Sequence, residues 1–237
     1  MIRWSGYDWI TNERWGLIHE KKSNQWYDQS CVQIDQDNNL HLKTKLNPRF
    51  FQNLNIISPI GIGLVSCTEK FYHGIYEIKA KLPYGVGLWP AFWMYSWDGW
   101  PPEIDIFEGY SVKNPNYFKF NLFKPFNIWD VKSNIHFTKK DGQRKEFGAK
   151  THFWGFNNPT KKFFKYGMDW QENYVKFYYD QKLVRTINDP FILNQLNKTT
   201  MNVIINNAVM PDVTSSNLCE SDFIVNYFKY EKTGEFH

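Results

Sequence analysis

Glu103-Ile104-Asp105-Ile106-Phe107-Glu108 sets three carboxylates among apolar side chains near the middle of the chain. Buried carboxylates are costly unless they are paired or used, so acids inside a hydrophobic run point to a working site. The run reads as a strand. Ile and Phe fill the gaps between acids, and Pro101 and Pro102 stand directly before it. A helix, turning about 100° per residue, would aim Glu103 and Asp105 roughly 160° apart and send Glu108 to a third side. On a strand alternate residues share a face, so Glu103 and Asp105 point the same way. Glu108 would then face the opposite side. One extra residue, a β-bulge within 105–108, brings it back. All three acids then share one face, with Ile104 in the core. The competing reading leaves Glu108 as a solvated strand end.

The surroundings of the acids narrow the chemistry. Trp89-Pro90-Ala91-Phe92-Trp93 lies just upstream, and Trp97 and Trp100 follow it. Indole faces stack on the apolar face of a sugar ring, and paired carboxylates cut glycosidic bonds. Strand alternation puts Trp89 and Trp93 on one face, where core packing competes with a sugar-binding role. Trp100, directly before the prolines, is the stronger ligand contact, and Trp97, beside Asp98-Gly99, belongs on a turn at the cleft edge. A retaining glycosidase needs two carboxyl groups roughly 5–5.5 Å apart, one an ionised nucleophile and one a protonated acid. An acid between them can hydrogen-bond the nucleophile, so the titrations belong to the group.

These residues resemble glycoside hydrolase family 16, which carries Glu-x-Asp-x-x-Glu on a bulged strand of a β-jelly-roll sandwich. The likeness extends beyond the acids. Tyr72-His73-Gly74-Ile75-Tyr76-Glu77 and Gly87-Leu88-Trp89-Pro90-Ala91-Phe92-Trp93-Met94 are similar to the family's blocks before the active site. Tyr166-Gly167-Met168-Asp169-Trp170 and Phe223-Ile224-Val225-Asn226-Tyr227 resemble its later strands. The resemblance implies an all-β, concanavalin A-like sandwich of two antiparallel sheets with a concave substrate cleft. It implies Glu103 as nucleophile, Asp105 as its helper and Glu108 as acid/base. It also implies a role for His136, on the strand next to the acids, although a lone strand histidine is more often structural.

The implied activity is that of a retaining endo-β-glycanase, first on β-1,3- or mixed-linkage β-glucan. Galactans (agarose, porphyran, carrageenan or the substrates of endo-β-galactosidases) are the alternative within the enzyme class. A non-catalytic glycan-binding module is the alternative outside it, since a fold does not dictate a function. No cofactor is required. Many family members hold a structural calcium partly through an Asp on the closing strand, and Asn226 stands at that position here, which weakens a hard-cation site. The sequence also departs from the family at Met210-Pro211, where relatives carry glycines after the Asn-Ala-Val stretch.

The whole chain bounds the rest. Its 237 residues suit one catalytic domain over 1–237. Strand-like runs such as Leu40–Thr44, Ile75–Leu82 and Val203–Ile205 are separated by turn signals, including Asn47-Pro48 and Asn188-Asp189-Pro190. Only Phe191–Leu196 hints at a helix. The net charge of +4 and the absence of a dense Lys/Arg block argue against nucleic acid as a partner. No apolar stretch approaches a membrane span. A monomer acting on a polysaccharide is expected, at an extracellular site, although the N-terminal residues show no signal peptide. Cys31, Cys67 and Cys219 make an odd set that reads as buried thiols, with a single bridge as the alternative. Residues 111–132 separate the acids from His136 and, as a long insertion rich in Lys and aromatics, are expected to wall one end of the cleft. Surface elaboration is the competing reading.

Overall fold

Apolar and polar residues alternate along Gly74–Lys81, where Tyr76, Ile78 and Ala80 are buried and Ile75, Glu77 and Lys79 are not. That period of two, repeated along the chain, builds the protein from strands. The computed structural model describes residues 1–19, 23–111, 129–152 and 158–233. In chain order the strands are β1 (Ile2–Trp4), β2 (Tyr7–Ile10), β3 (Gln25–Tyr27), β4 (Val32–Ile34), β5 (Leu40–Phe51), β6 (Ile56–Ile62), β7 (Leu64–Cys67), β8 (Gly74–Lys81) and β9 (Leu88–Tyr95). They continue with β10 (Glu103–Ser111), β11 (Trp129–Thr138), β12 (Arg144–His152), β13 (Phe164–Gln171), β14 (Tyr174–Tyr179), β15 (Lys182–Ile187), β16 (Asn202–Val209) and β17 (Ser221–Lys232). One helix, α1 (Pro190–Leu196), lies between β15 and β16. Asp189 caps it by accepting from the Phe191 and Ile192 amides, and Pro190 occupies its first turn, where no amide donor is needed.

Two sheets form a jelly-roll sandwich. One runs β1-β2-β7-β16-β9-β10-β11-β12, the other β15-β14-β13-β8-β17-β5-β6-β3, with β4 added against β5. The pairing is antiparallel except for β3 on β6, which is parallel. The path between those two strands runs through β4 and β5, so no hairpin imposes an antiparallel approach. The sandwich interior holds Trp4, Trp9, Tyr76, Phe92, Tyr166, Trp170, Phe177 and Phe223, each at most 1% exposed. A side chain of this size, fully buried, contributes about 1.5–3 kcal/mol. All eight residues of β16 are buried, because one face meets this core and the other floors the cleft.

One turn signal misled. Asn47-Pro48 lies inside β5, where the pairing with β6 slips between Leu46 and Arg49. A proline lacks the ladder donor and is tolerated at such an irregularity. Asn47 meanwhile bonds elsewhere: its carbonyl accepts Trp26 Nε1 at 2.8 Å and its amide donates to Asp28 at 2.6 Å.

The three cysteines are free. Cys31 and Cys67 are fully buried, and burial pushes both thiols up to about 12. Cys219 is half-buried and packs so closely on Gly85 that a Cβ there would lie 2.5 Å from its sulfur. No helix among the described residues is long and apolar enough to cross a membrane.

Candidate active site

The acids stand on β10, between β9 and β11. Against β11, Asp105 faces Asn134 and Glu108 faces Lys132; against β9, Asp105 faces Trp93 and Phe107 faces Phe92. Each count gives β10 one residue more than its partner, and the residue without a partner on either side is Ile106. Ile104, Ile106 and Phe107 are all fully buried, so the extra residue is absorbed on the core side. A bulge leaves a backbone carbonyl off the ladder. Here Tyr179 Oη, from β14 of the opposite sheet, donates to Ile106 O at 2.9 Å, and the Phe107 ring packs 4.5 Å from that of Tyr166.

Glu103, Asp105 and Glu108 consequently line one cleft of about 590 Å³, together with Trp89, Trp93, Trp100 and His136. Trp89 Nε1 donates to Glu108 Oε1 at 3.1 Å, and Trp100 Nε1 to Glu103 Oε2 at 2.6 Å. Trp93 donates instead to Asn206 Oδ1 at 2.7 Å. His136 Nε2 lies 3.2 Å from Asp105 Oδ2 and 3.4 Å from Glu103 Oε1. The four residues singled out beside the acids therefore all reach the cleft, with their rings partly exposed. Trp97 lies on a turn but packs on Leu64, Tyr95 and Ile204 beneath it.

Burial pushes the Glu103 carboxyl well above its usual range, and the neighbouring Asp105 adds to this. Asp105 is likewise raised by burial and by Glu108. Two such groups cannot both be ionised at neutral pH, so they share a proton. Their mutual hydrogen bond raises Glu103 and lowers Asp105, while burial is the more complete at Asp105. Its side chain is 3% exposed against 16% for Glu103, and its Oδ2 makes no well-directed hydrogen bond. Glu103 receives the short bond from the Trp100 indole, which favours its anion.

Several residues of the site carry no signal in a linear reading. Arg14, Trp15, Arg144, Glu146 and Asn206 also line the cleft. Arg144 lies over the Trp100 ring at 4.6 Å, and Glu146 Oε2 accepts from Asn134 at 3.1 Å. Glu13, fully buried below, accepts from Tyr95 Oη at 2.9 Å and Ser66 Oγ at 3.3 Å, and burial pushes it up to about 7. Beside Asn206, Met210 bonds its amide to Gly87 O at 2.8 Å and packs on the core. The expectation of a wall built by residues 111–132 falls mostly on 112–128, outside the described residues.

Asn226, the position weighed for a cation, lies on β17. Its amide donates to Asn39 Oδ1 at 2.8 Å. Among the described residues the acid and histidine groups that converge closely enough for a cation are Glu103, Asp105 and His136, with ligand atoms within 4.8 Å, and none gathers at Asn226.

Fold and site together define the class: a jelly-roll sandwich with three carboxyl groups gathered by a strand bulge beneath indole rings. The chain belongs to the glycosyl hydrolases family 16, which matches residues 19–217. The "Endo-1,3-1,4-beta-glycanase EglC" of Rhizobium meliloti is 25% identical over 167 residues, 70% of this chain and 32% of that protein. The "Glucan endo-1,3-beta-glucosidase" of Cryptopygus antarcticus is 28% identical over 123 residues, 49% of this chain and 40% of that one. The chain thus spans less than half the length of either relative. In fold it is similar to the laminarinase catalytic domain of Thermotoga maritima, at a TM-score of 0.71 and 18% identity over 96% of this chain and 92% of that one.

Proposed function

We propose that the protein is a retaining endo-β-glycanase that hydrolyses internal β-1,3- or mixed-linkage β-glucosidic bonds outside the cell. The observation that carries the reading is the bulge at Ile106, which turns Glu103, Asp105 and Glu108 into one indole-lined cleft. Family membership and the names of the two relatives support the substrate class.

In this reading the Glu103 carboxylate attacks the anomeric carbon while Glu108 gives its proton to the glycosidic oxygen, and the reducing-end fragment leaves. Glu108, now ionised, takes a proton from water. The hydroxide attacks the same carbon, breaks the ester to Glu103 and leaves the β configuration unchanged. Asp105, sharing a proton with Glu103, bonds it and tempers its charge through the cycle. Trp100 and His136 orient the nucleophile, and Trp89 and Trp93 stack the sugars on either side. Two carboxyl groups and water suffice, so no cofactor enters.

The test is product analysis on laminarin, mixed-linkage β-glucan, agarose and carrageenan. Rapid loss of polymer length on the glucans, with the β anomer appearing first by NMR, is expected. Glu103→Gln and Glu108→Gln each lower kcat by at least about 10³-fold without unfolding the protein. Initial release of the α anomer, or a fully active variant, overturns the roles. Tight retention of glucan without cleavage supports the binding-module alternative, and cleavage of galactans alone moves the substrate class.

A further inference from the structure

Glu103 and His136 stand opposite each other in the β10–β11 register, and Asp105 lies two positions along the same face of β10. Their polar atoms converge. His136 Nε2 is 3.2 Å from Asp105 Oδ2 and 3.4 Å from Glu103 Oε1, and one atom from each of the three residues falls within 4.8 Å of the others.

The bonds around this group turn acceptors inward. Asn134 is fixed, its Oδ1 accepting the Ile135 amide at 3.0 Å and its Nδ2 donating to Glu146 Oε2 at 3.1 Å. The same Nδ2 lies 3.2 Å from His136 Nε2, so that imidazole nitrogen accepts and carries a lone pair, with the ring hydrogen on Nδ1. Trp100 holds Glu103 by Oε2, which leaves Oε1 as the oxygen facing His136. Asp105 is 2% exposed, and among the described residues its Oδ2 has no hydrogen-bond partner. A buried carboxylate oxygen without a donor is costly. Here it sits against an imidazole lone pair and a second carboxyl group, a surrounding that suits a cation.

The geometry selects among cations. Zinc bonds of about 2.0–2.2 Å in a tetrahedron set neighbouring ligand atoms about 3.3–3.6 Å apart. The two separations from His136 Nε2 are 3.2 and 3.4 Å. Calcium takes about six to eight oxygen ligands and magnesium an octahedron of them, whereas one imidazole nitrogen with two carboxylate oxygens suits zinc. Each ligand-bearing strand is paired on both sides, β10 with β9 and β11, and β11 with β10 and β12, so the three groups are held on rigid backbone. Three protein ligands leave a fourth position to water from the cleft they line.

We propose that Glu103, Asp105 and His136 form a zinc-binding site through which zinc reversibly inhibits the enzyme. The inhibition rests on the endo-glycanase reading; the site rests on its own geometry. Zinc binding releases to water the proton that the two acids share and occupies Glu103 Oε1. Metal and glucan then compete for the same carboxylate. Zinc has no part in the cleavage itself, which needs only the two carboxyl groups and water.

The test uses untagged protein dialysed against EDTA and then freed of it. Zinc chloride is titrated in competition with a chromogenic zinc indicator, with no sugar present, and the same protein is assayed on laminarin and mixed-linkage β-glucan. One zinc per chain is expected, displaced by neither calcium nor magnesium. His136→Gln and Glu103→Gln are each expected to weaken zinc by about tenfold or more. In the assay, zinc is expected to raise the apparent KM in proportion to its concentration while leaving kcat unchanged, and EDTA to reverse the effect. Zinc binding that is absent, or equal in both variants, overturns the site and leaves the hydrolase reading intact. Zinc that lowers kcat alone, or speeds cleavage, overturns the inhibition. One zinc per chain, lost in both variants of a protein whose wild type cuts no polysaccharide, keeps the metal site and overturns the hydrolase reading.

Discussion

A single proton sets the character of the acid cluster. Glu103 and Asp105 are both raised by burial. The Trp100 indole favours charge on Glu103 and fuller burial favours the neutral form of Asp105, while the bond between them acts the other way. The three acids were legible because their chemistry is written in six consecutive residues. Glu13 was not, since its partners Ser66 and Tyr95 lie 53 and 82 positions away. Its titration has a consequence for stability. Burial raises it from 4.5 to about 7, with Glu103 adding to the shift and Tyr95, Ser66 and the Arg14 amide opposing it, and with Tyr27 also close by. Between those values the folded protein holds a proton that the unfolded chain releases, so stability falls as pH rises through the window and then levels off. The loss is about 3 kcal/mol for this one group. Urea unfolding at pH 5 and pH 8 is expected to show the drop, and Glu13→Gln, which keeps an acceptor for Tyr95, to reduce it. An equal drop in the variant assigns the dependence to other groups.

Strands obey their neighbours more than their own residues. The need for an extra residue in β10 could be read from the spacing of the acids, but not what holds it. Tyr179 does, from the opposite sheet, by donating to Ile106 O. Tyr179→Phe keeps the ring and leaves that carbonyl unsatisfied in the core, at a cost of about 1–3 kcal/mol. Because the same backbone aims Glu108, kcat is expected to fall with little change in KM. Denaturant unfolding and steady-state kinetics on the variant check both halves, and a kcat at the wild-type level would separate the bond from the aim of the acid. Asn47-Pro48 is the opposite case. Read locally it is a turn, but β6 alongside and the bonds to Trp26 and Asp28 carry β5 straight through it.

At the scale of the molecule, repeated alternation made the all-β sandwich legible, while strand order was not. The pairing of β16 with β9 and β7, or of β17 with β8, joins segments more than a hundred residues apart in sequence and depends on contacts no local pattern carries. The parallel approach of β3 to β6 was invisible for the same reason. Asn226 bears on the molecule as a whole too, because a cation on the outer sheet would stiffen it. Its amide is engaged with Asn39, and no acid or histidine cluster completes a cage there among the described residues. Dialysis against EDTA is therefore expected to leave Tm and the rate of glucan cleavage unchanged, and a fall in Tm restored by calcium would reveal a site built from other oxygens.

The thiols offer a practical handle. Cys31 and Cys67 are sealed in the interior and held protonated, while Cys219 sits partly in solvent against Gly85. A maleimide dye added to the native protein has one sulfur to react with, so a fluorophore can be attached at a single defined point without engineering a cysteine-free background.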